Sequence, residues 1–271
     1  MPSKHRILLA KAADILRLNG PARVFYHLGR PNFGDDLNLW LMGRLADAPF
    51  RWGSTGRAHL LGVGSIAARA NQRSWVMGSG LLTPLAGGRR PACGRVVALR
   101  GAISAEMLGV DPPHIGDPVC LVDRLLPRPP VRPGSLGVVP HAISVSEWRR
   151  ILRGRDDITL IDPRGEPLAV IQAIAACERV ASQSLHGLVV ADAYGIPTAW
   201  IEPAPGMVGG RFKFDDYFTA FAEPRLAVPL AELAGGAGGL PWSVAAYRGD
   251  KAAYLAHLRD AALEFVARPR S

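Results

Sequence analysis

The stretch around His186 is where residue types and order could by themselves do chemistry. An apolar strand, Arg179 to Ser182, runs into the polar turn Gln183-Ser184-Leu185-His186-Gly187. A short apolar helix follows from Leu188 to Tyr194, and Gly195 stops it by taking the left-handed cap cheaply. Pro197 then opens a second apolar strand, Thr198 to Ile201. The first N–H groups of a helix are free and sit at the positive end of its dipole. Such a turn suits a phosphate or a carboxylate, and a His beside it can trade a proton near neutral pH. The plainer alternative is that His186 caps or packs.

Repetition of that pattern supplies the elements that must hold such a turn. Val24–Leu28, His59–Val63, Ser74–Met77 and Arg95–Leu99 read as strands, mostly ending in Gly-containing turns and leading into helices. Asp35 or Asp36 is expected to cap a helix from Leu37 to Ala46, and Ala102 to Leu108 reads as a helix stopped by Gly109. His114–Pro118 reads as a short edge strand and turn, and Val119–Leu126 as helix. Pro127–Gly134 has four Pro in eight residues and makes neither helix nor central strand. Alternation resumes with strands Leu136–Pro140 and Ile158–Ile161 and helices Val145–Leu152 and Pro167–Cys177. Ser144 with Glu147 has the form of a capping box. Asp215 and Asp216 are expected to cap a helix reaching Phe221, and a last helix, Val244–Val266, to cross back to the first half.

Apolar strands that end in Gly turns and lead into helices imply an α/β fold with parallel sheets. The organisation expected is an N-terminal Rossmann-like domain over residues 1–127, a Pro-rich linker 128–134, a C-terminal Rossmann-like domain 135–240 and a C-terminal helix 241–271. In such sheets ligands sit at the carboxyl ends of the strands. The residues placed there are Asn32, Gly34, Asp35, Gly78, Ser79, Gly80, Arg100, Asp117, His141, Ser184, His186, Arg211 and Lys213. Asp117, before a Pro, reads as a turn former.

Composition narrows the classes. The chain has 271 residues, 48% of them hydrophobic, which is enough for a sizeable core. Its net charge is +9, and of 32 cationic residues only Lys4, Lys11, Lys213 and Lys251 are lysines. A surface so rich in Arg attracts anions. The Arg residues are scattered rather than interleaved with aromatics, so nucleic acid is not expected. Cys93, Cys120 and Cys177 are far apart and odd in number, as in small core residues of a reducing compartment, with no metal knuckle. The N-terminus begins basic, but Lys11 and Asp14 interrupt its apolar part. It reads as an amphipathic helix ended by Asn19-Gly20 that packs on the domain or touches a membrane surface. No run is long enough to span a bilayer. These features lead us to expect a cytoplasmic protein, with any membrane contact peripheral at the inner face. There is no phosphate-binding GxxxxGK[ST] loop, no HExxH and no Gly-x-Ser-x-Gly elbow.

Seven ordered pieces carry a resemblance. They are Asn32-Phe-Gly-Asp-Asp-Leu-Asn38, Gly78-Ser-Gly80, Arg100-Gly-Ala-Ile-Ser-Ala-Glu-Met-Leu-Gly109, Gly116-Asp-Pro118, Val139-Pro-His141, Leu185-His-Gly-Leu-Val-Val-Ala-Asp192 and Arg211-Phe-Lys213. In this order, over about residues 23 to 220, the chain resembles the polysaccharide pyruvyltransferase family, in particular its succinoglycan type. Where that pattern often has Arg before Leu-His, this chain has Ser184.

The resemblance implies two Rossmann-like domains facing a cleft, as in GT-B glycosyltransferases. It implies transfer of pyruvate from phosphoenolpyruvate to two hydroxyls of one sugar in a cell-surface or exopolysaccharide glycan, lipid-linked or soluble. The product is a cyclic ketal plus phosphate, with no metal or other cofactor. The residues suit that chemistry. His186 is placed as general acid, and Arg100 as a bidentate grip on phosphate. The N–H groups of Gly187 and Leu188 are placed at the donor, with Ser184 and Leu185 beside them. Arg211 or Lys213 would steady the leaving phosphate, and Asp35 or His141 would take the hydroxyl proton. Asn32, Gly34 and Ser79 complete the substrate-binding set. Two other classes fit the same elements: a GT-B-type transferase using a nucleotide sugar, and a non-catalytic glycan-binding protein.

Overall fold

A computed structural model describes residues 21–88, 90–235 and 237–268. The N-terminal amphipathic segment read above lies outside them. The described residues form two five-stranded sheets, each parallel throughout.

The first sheet is built from β1 (Ala22–Val24), β2 (Phe50–Trp52), β3 (His59–Leu61), β4 (Ser74–Met77) and β5 (Arg95–Ala98) in the order β2-β1-β3-β4-β5. After β1 come α1 (Phe33–Asp36) and α2 (Asn38–Ala46); after β5 comes α3 (Ala102–Leu108). A 3₁₀ turn, Pro118–Leu121, and α4 (Val122–Leu125) close this half. The second sheet holds β6 (Leu136–Val139), β7 (Ile158–Leu160), β8 (Arg179–Ser182), β9 (Thr198–Ile201) and β10 (Ala227–Val228) in the order β10-β9-β8-β6-β7. Its helices are α5 (Val145–Ile151), α6 (Pro167–Ala175), α7 (Leu185–Ala193), α8 (Phe212–Phe218) and α9 (Leu230–Gly235). β3, β4, β6 and β9 are buried along their whole length and β8 in all but its first residue, as strands covered on both faces should be.

Several local readings change. β1 ends at Val24, where the strand was read to begin, and the edge strands β2 and β10 did not stand out in the sequence. The first helix is capped by Asn32, whose side chain accepts the Gly34 N–H, and neither Asp35 nor Asp36 is the cap. Ser144 precedes α5 in a helical conformation and makes no capping bond, so there is no capping box. α7 starts at Leu185 rather than Leu188, which puts His186 inside the first turn. Asp216 is fully buried within α8 instead of capping it.

The last helix, α10 (Lys251–Ala267), packs on α2 and β5 of the first half. Phe265 meets Trp75 edge-on at 5.5 Å, and the Tyr254 hydroxyl donates to the Gly116 carbonyl at 2.7 Å. Lys251 donates to Asp123 of the first half and to the Ala193 carbonyl of the second, at 3.1 and 3.0 Å. Further ties are the Phe33 N–H to the Pro163 carbonyl at 2.8 Å and the Tyr194 hydroxyl to the Leu126 carbonyl at 2.9 Å. No helix among the described residues is long and apolar enough to cross a membrane.

Candidate active site

Both sheets present their carboxyl ends to a shared cleft. A hollow of about 420 Å³ there is lined by His27, Gly29, Arg30, Asn32 and Asp35 from the first half and His141, Ala142 and Ile143 from the second. A larger hollow of about 540 Å³ lies elsewhere, lined by residues such as Asn71, Arg73 and Pro91 that lead into β4 and β5, away from the strand ends where ligands sit.

His186 reaches this region from the second half because α7 begins directly after β8. Gly187 lets the helix approach the strand: a Cβ there would lie 2.3 Å from Ser182 Oγ. The imidazole then crosses to the first half. It stands edge-on to Phe33 at 6.1 Å, and its Nδ1 lies so close to Gly34 that a Cβ would come within 1.9 Å. Its Nε2 lies 3.6 Å from Asp117 Oδ2, and both atoms are buried without a hydrogen-bond partner.

The loop carrying Asn32, Gly34 and Asp35 is held from within. Asn38 is fully buried; its amide donates to the Asp35 and Val63 carbonyls and accepts the Val63 N–H at 2.8 Å, fastening the loop to the end of β3. Asn32 Nδ2 reaches Asp35 Oδ2 at 3.4 Å. Burial raises the Asp35 carboxyl above its ordinary range against the opposing charges of His186, His27 and Lys213. Lys213, on α8, is pushed down to about 8, first by burial and then by the charge of Arg100, while Asp35 works the other way. His141 is pushed down to about 4, chiefly by burial and then by Lys213. Its Nδ1 is buried and unpartnered, and its backbone N–H donates to Gln183 Oε1 at 3.3 Å. Gln183 also accepts from Trp148 Nε1 and donates to the Glu202 carbonyl, so one amide fixes three segments around His141.

The structure thus brings His186, Asn32, Gly34, Asp35, His141 and Lys213 into one electrostatic neighbourhood. It places the other candidates differently. Arg100 is wholly buried: it binds Asp216 through Nε at 3.0 Å and Nη2 at 2.9 Å, the Leu81 carbonyl at 2.6 Å and Ser65 Oγ at 2.5 Å. A guanidinium so committed holds protein together rather than presenting an open fork to the cleft. Ser79 is closed as well, its hydroxyl donating to the Gly64 carbonyl and accepting the Ile66 N–H. Arg211 is exposed, lies over the Trp200 ring at 4.7 Å and faces Asp215 at 3.5 Å. The Leu188 N–H is spent on the Ser184 carbonyl within α7, leaving the earlier N–H groups of Leu185, His186 and Gly187 as the helix start. Leu185 is itself buried, and Ser184 occupies the cap position without a capping hydrogen bond.

Residues 66–205, just over half of the chain, match the family described as polysaccharide pyruvyl transferase. The chain belongs to that family. The succinoglycan biosynthesis protein ExoV of Rhizobium meliloti (strain 1021) is 32% identical over 199 residues, covering 69% of this chain and 60% of that one. Protein L143 of Acanthamoeba polyphaga mimivirus is 26% identical over 219 residues, 74% of this chain and 75% of its own length. No solved structure matches.

In this polysaccharide pyruvyl transferase family chain, sequence reasoning passed over Asn38, Gln183 and His27, and took Asp216 for a helix cap. Asn38 closes the Asn32–Asn38 motif and Gln183 opens the polar turn, so both lay in view. Asp216 pairs with a residue 116 positions away and carries no local signal.

Proposed function

We propose that the chain transfers pyruvate from phosphoenolpyruvate to two hydroxyls of one sugar in a cell-surface or exopolysaccharide glycan, forming a cyclic ketal and releasing phosphate. The observation that carries the reading is the convergence of His186 and Lys213 on Asp35, which lines a cleft at the carboxyl ends of two parallel sheets. The family supports it, as does the biosynthetic naming of the succinoglycan relative.

The donor is an anion with two acidic groups. Lys213, cationic below about pH 8, and the N–H groups at the start of α7 suit them. In this reading Arg100 serves indirectly, since its pair with Asp216 fixes the helix that carries Lys213. His186 gives a proton to C3 of the enol, and C2 becomes electrophilic. One hydroxyl adds to C2, phosphate departs with the C2–O bond, and the second hydroxyl closes the ketal. Of the two hydroxyl protons, one passes through Asp35 and restores the proton His186 gave, and the other leaves on phosphate. Asp35 is the base: burial brings its carboxyl toward the working pH, where a proton acceptor is most useful. The halves then work as in GT-B enzymes, with donor and acceptor meeting between them. The protein works in the cytoplasm, with peripheral contact at the inner membrane face where a lipid-linked acceptor would be presented.

The test is incubation with phosphoenolpyruvate and a pyruvate-free glycan, following phosphate release and the glycan's mass. Wild type should release phosphate in step with a gain of one pyruvyl ketal, and His186→Ala should lose about 10²-fold or more in rate. A wild-type protein that binds phosphoenolpyruvate yet never consumes it in the presence of acceptor would sink the reading.

A further inference from the structure

Asp117 is held more tightly than a turn former needs to be. Pro118 follows it and opens a 3₁₀ turn that Asp117 caps, with Oδ1 accepting the Val119 N–H at 3.0 Å. One oxygen is therefore spoken for, and the direction of the other is fixed. That other oxygen, Oδ2, is buried, has no hydrogen-bond partner, and points at His186 Nε2, likewise buried and unpartnered, 3.6 Å away. Neighbouring groups are already committed. The Tyr254 hydroxyl donates to the Gly116 carbonyl, and the Cys120 N–H goes to the Asp117 carbonyl.

Two buried polar atoms left without partners are rare, because each costs the free energy of its lost hydration. Here each is the other's nearest complement, and the gap exceeds a hydrogen bond by a few tenths of an ångström. The two residues come from different halves. α7 packs against the 3₁₀ turn that Asp117 caps, so a small tightening of that contact closes the gap.

We propose that Asp117 is the positioning residue of His186: its Oδ2 accepts a hydrogen bond from Nε2–H and thereby commits Nδ1, the nitrogen against Gly34, to the proton that is given away. The proposal rests on the reading of His186 as proton donor. In the charged ring Nε2–H stays on Asp117 while Nδ1–H goes to the substrate carbon. The neutral ring left behind is the Nε2–H tautomer, still bonded to Asp117, and Nδ1 regains its proton from the acceptor hydroxyl. An imidazole that moves protons through one nitrogen while a third group orients the other is a recurring arrangement in catalysis.

Histidine-selective ¹⁵N NMR on the full chain tests it without any turnover. The His186 signals are those lost in His186→Gln. In the neutral ring of wild type the proton should sit on Nε2. In Asp117→Asn the amide oxygen can keep the Val119 N–H, and its NH₂ turns toward Nε2, so the tautomer should reverse to Nδ1–H. A wild-type ring protonated on Nδ1 overturns the proposal, and so does an unchanged Nε2–H signal in folded Asp117→Asn. If that variant does not fold, the wild-type spectrum still decides. With phosphoenolpyruvate and acceptor, Asp117→Asn should lose about 10²-fold in kcat while KM moves by about twofold or less. A raised KM with kcat preserved would mark Asp117 as a binding group and also overturn the proposal. Should wild type consume no phosphoenolpyruvate, the functional reading falls, and the tautomer result still judges Asp117.

Discussion

Arg100 Nη2 and Asp216 Oδ2 stand 2.9 Å apart with neither side chain exposed to solvent. The pair joins the end of β5 to α8. Asp216 also accepts the Ser104 N–H and hydroxyl, both at 2.7 Å, so one carboxylate anchors α3 to α8. Gly80 and Gly101 make room for it, since a Cβ would lie 2.4 Å from the Arg100 guanidinium carbon and 1.9 Å from the Asp216 carbonyl.

Breaking this pair should cost stability first. Arg100→Met leaves an uncompensated buried carboxylate, a loss of about 3–5 kcal/mol read by urea unfolding. Arg100→Met combined with Asp216→Leu should recover much of it. An Arg100→Met protein of wild-type stability that lost only donor affinity would instead make Arg100 a direct ligand of the phosphate.

Gly34→Ala should act on His186 without touching its chemistry. The added carbon would sit 1.9 Å from Nδ1, so the ring must swing away. We expect a loss of about 10²-fold or more in kcat, with a stability cost of about 1–3 kcal/mol from the forced repacking. Steady-state kinetics and thermal unfolding on one preparation separate the two effects.

Lys213 should give an alkaline limb to donor binding. Its amine is pushed down to about 8, so the cation is present below that pH and lost above it. KM for phosphoenolpyruvate should rise as pH passes 8, and Lys213→Arg should remove the limb because Arg stays charged. Stability moves the other way. Between about 8 and the ordinary 10.5 the unfolded chain holds a proton that the folded chain does not, so this residue's contribution improves as pH rises.

His141 should weaken the fold in acid. Its folded value is about 4 against an ordinary 6.5, so the ring is neutral at pH 7. As pH falls through that window the unfolded chain takes up a proton the native ring refuses, and stability drops. His141→Gln should show a shallower loss of unfolding free energy between pH 6.5 and 4 than wild type.

Strands β4, β8 and β9 were legible residue for residue, because each is an apolar run bounded by turn signals. β2 and β10 escaped for the opposite reason: three half-exposed residues and a two-residue edge carry almost no pattern. The start of α7 was misplaced because Gly187 looks like a turn residue; it is Gly for closeness to Ser182. The seven ordered motifs led to the family, and His186, Asp35, His141 and Lys213 do gather. The surroundings of Arg100 were not legible, since Arg and Asp at a distance of 116 residues give no local sign of pairing. An Arg at a strand end reads as an anion grip until its partner is known.

His186 belongs to one half, while Gly34 and Asp117, the residues on either side of its ring, belong to the other. The surroundings of the imidazole are therefore a property of the seam and of neither half. A chain cut in the Pro-rich segment would yield two pieces, each lacking half of the ring's surroundings, and mixing them would restore those surroundings only as far as they reassociate. The same holds for chimaeras: a half borrowed from a relative must bring its own side of the seam, or the imidazole meets a surface that neither orients nor confines it.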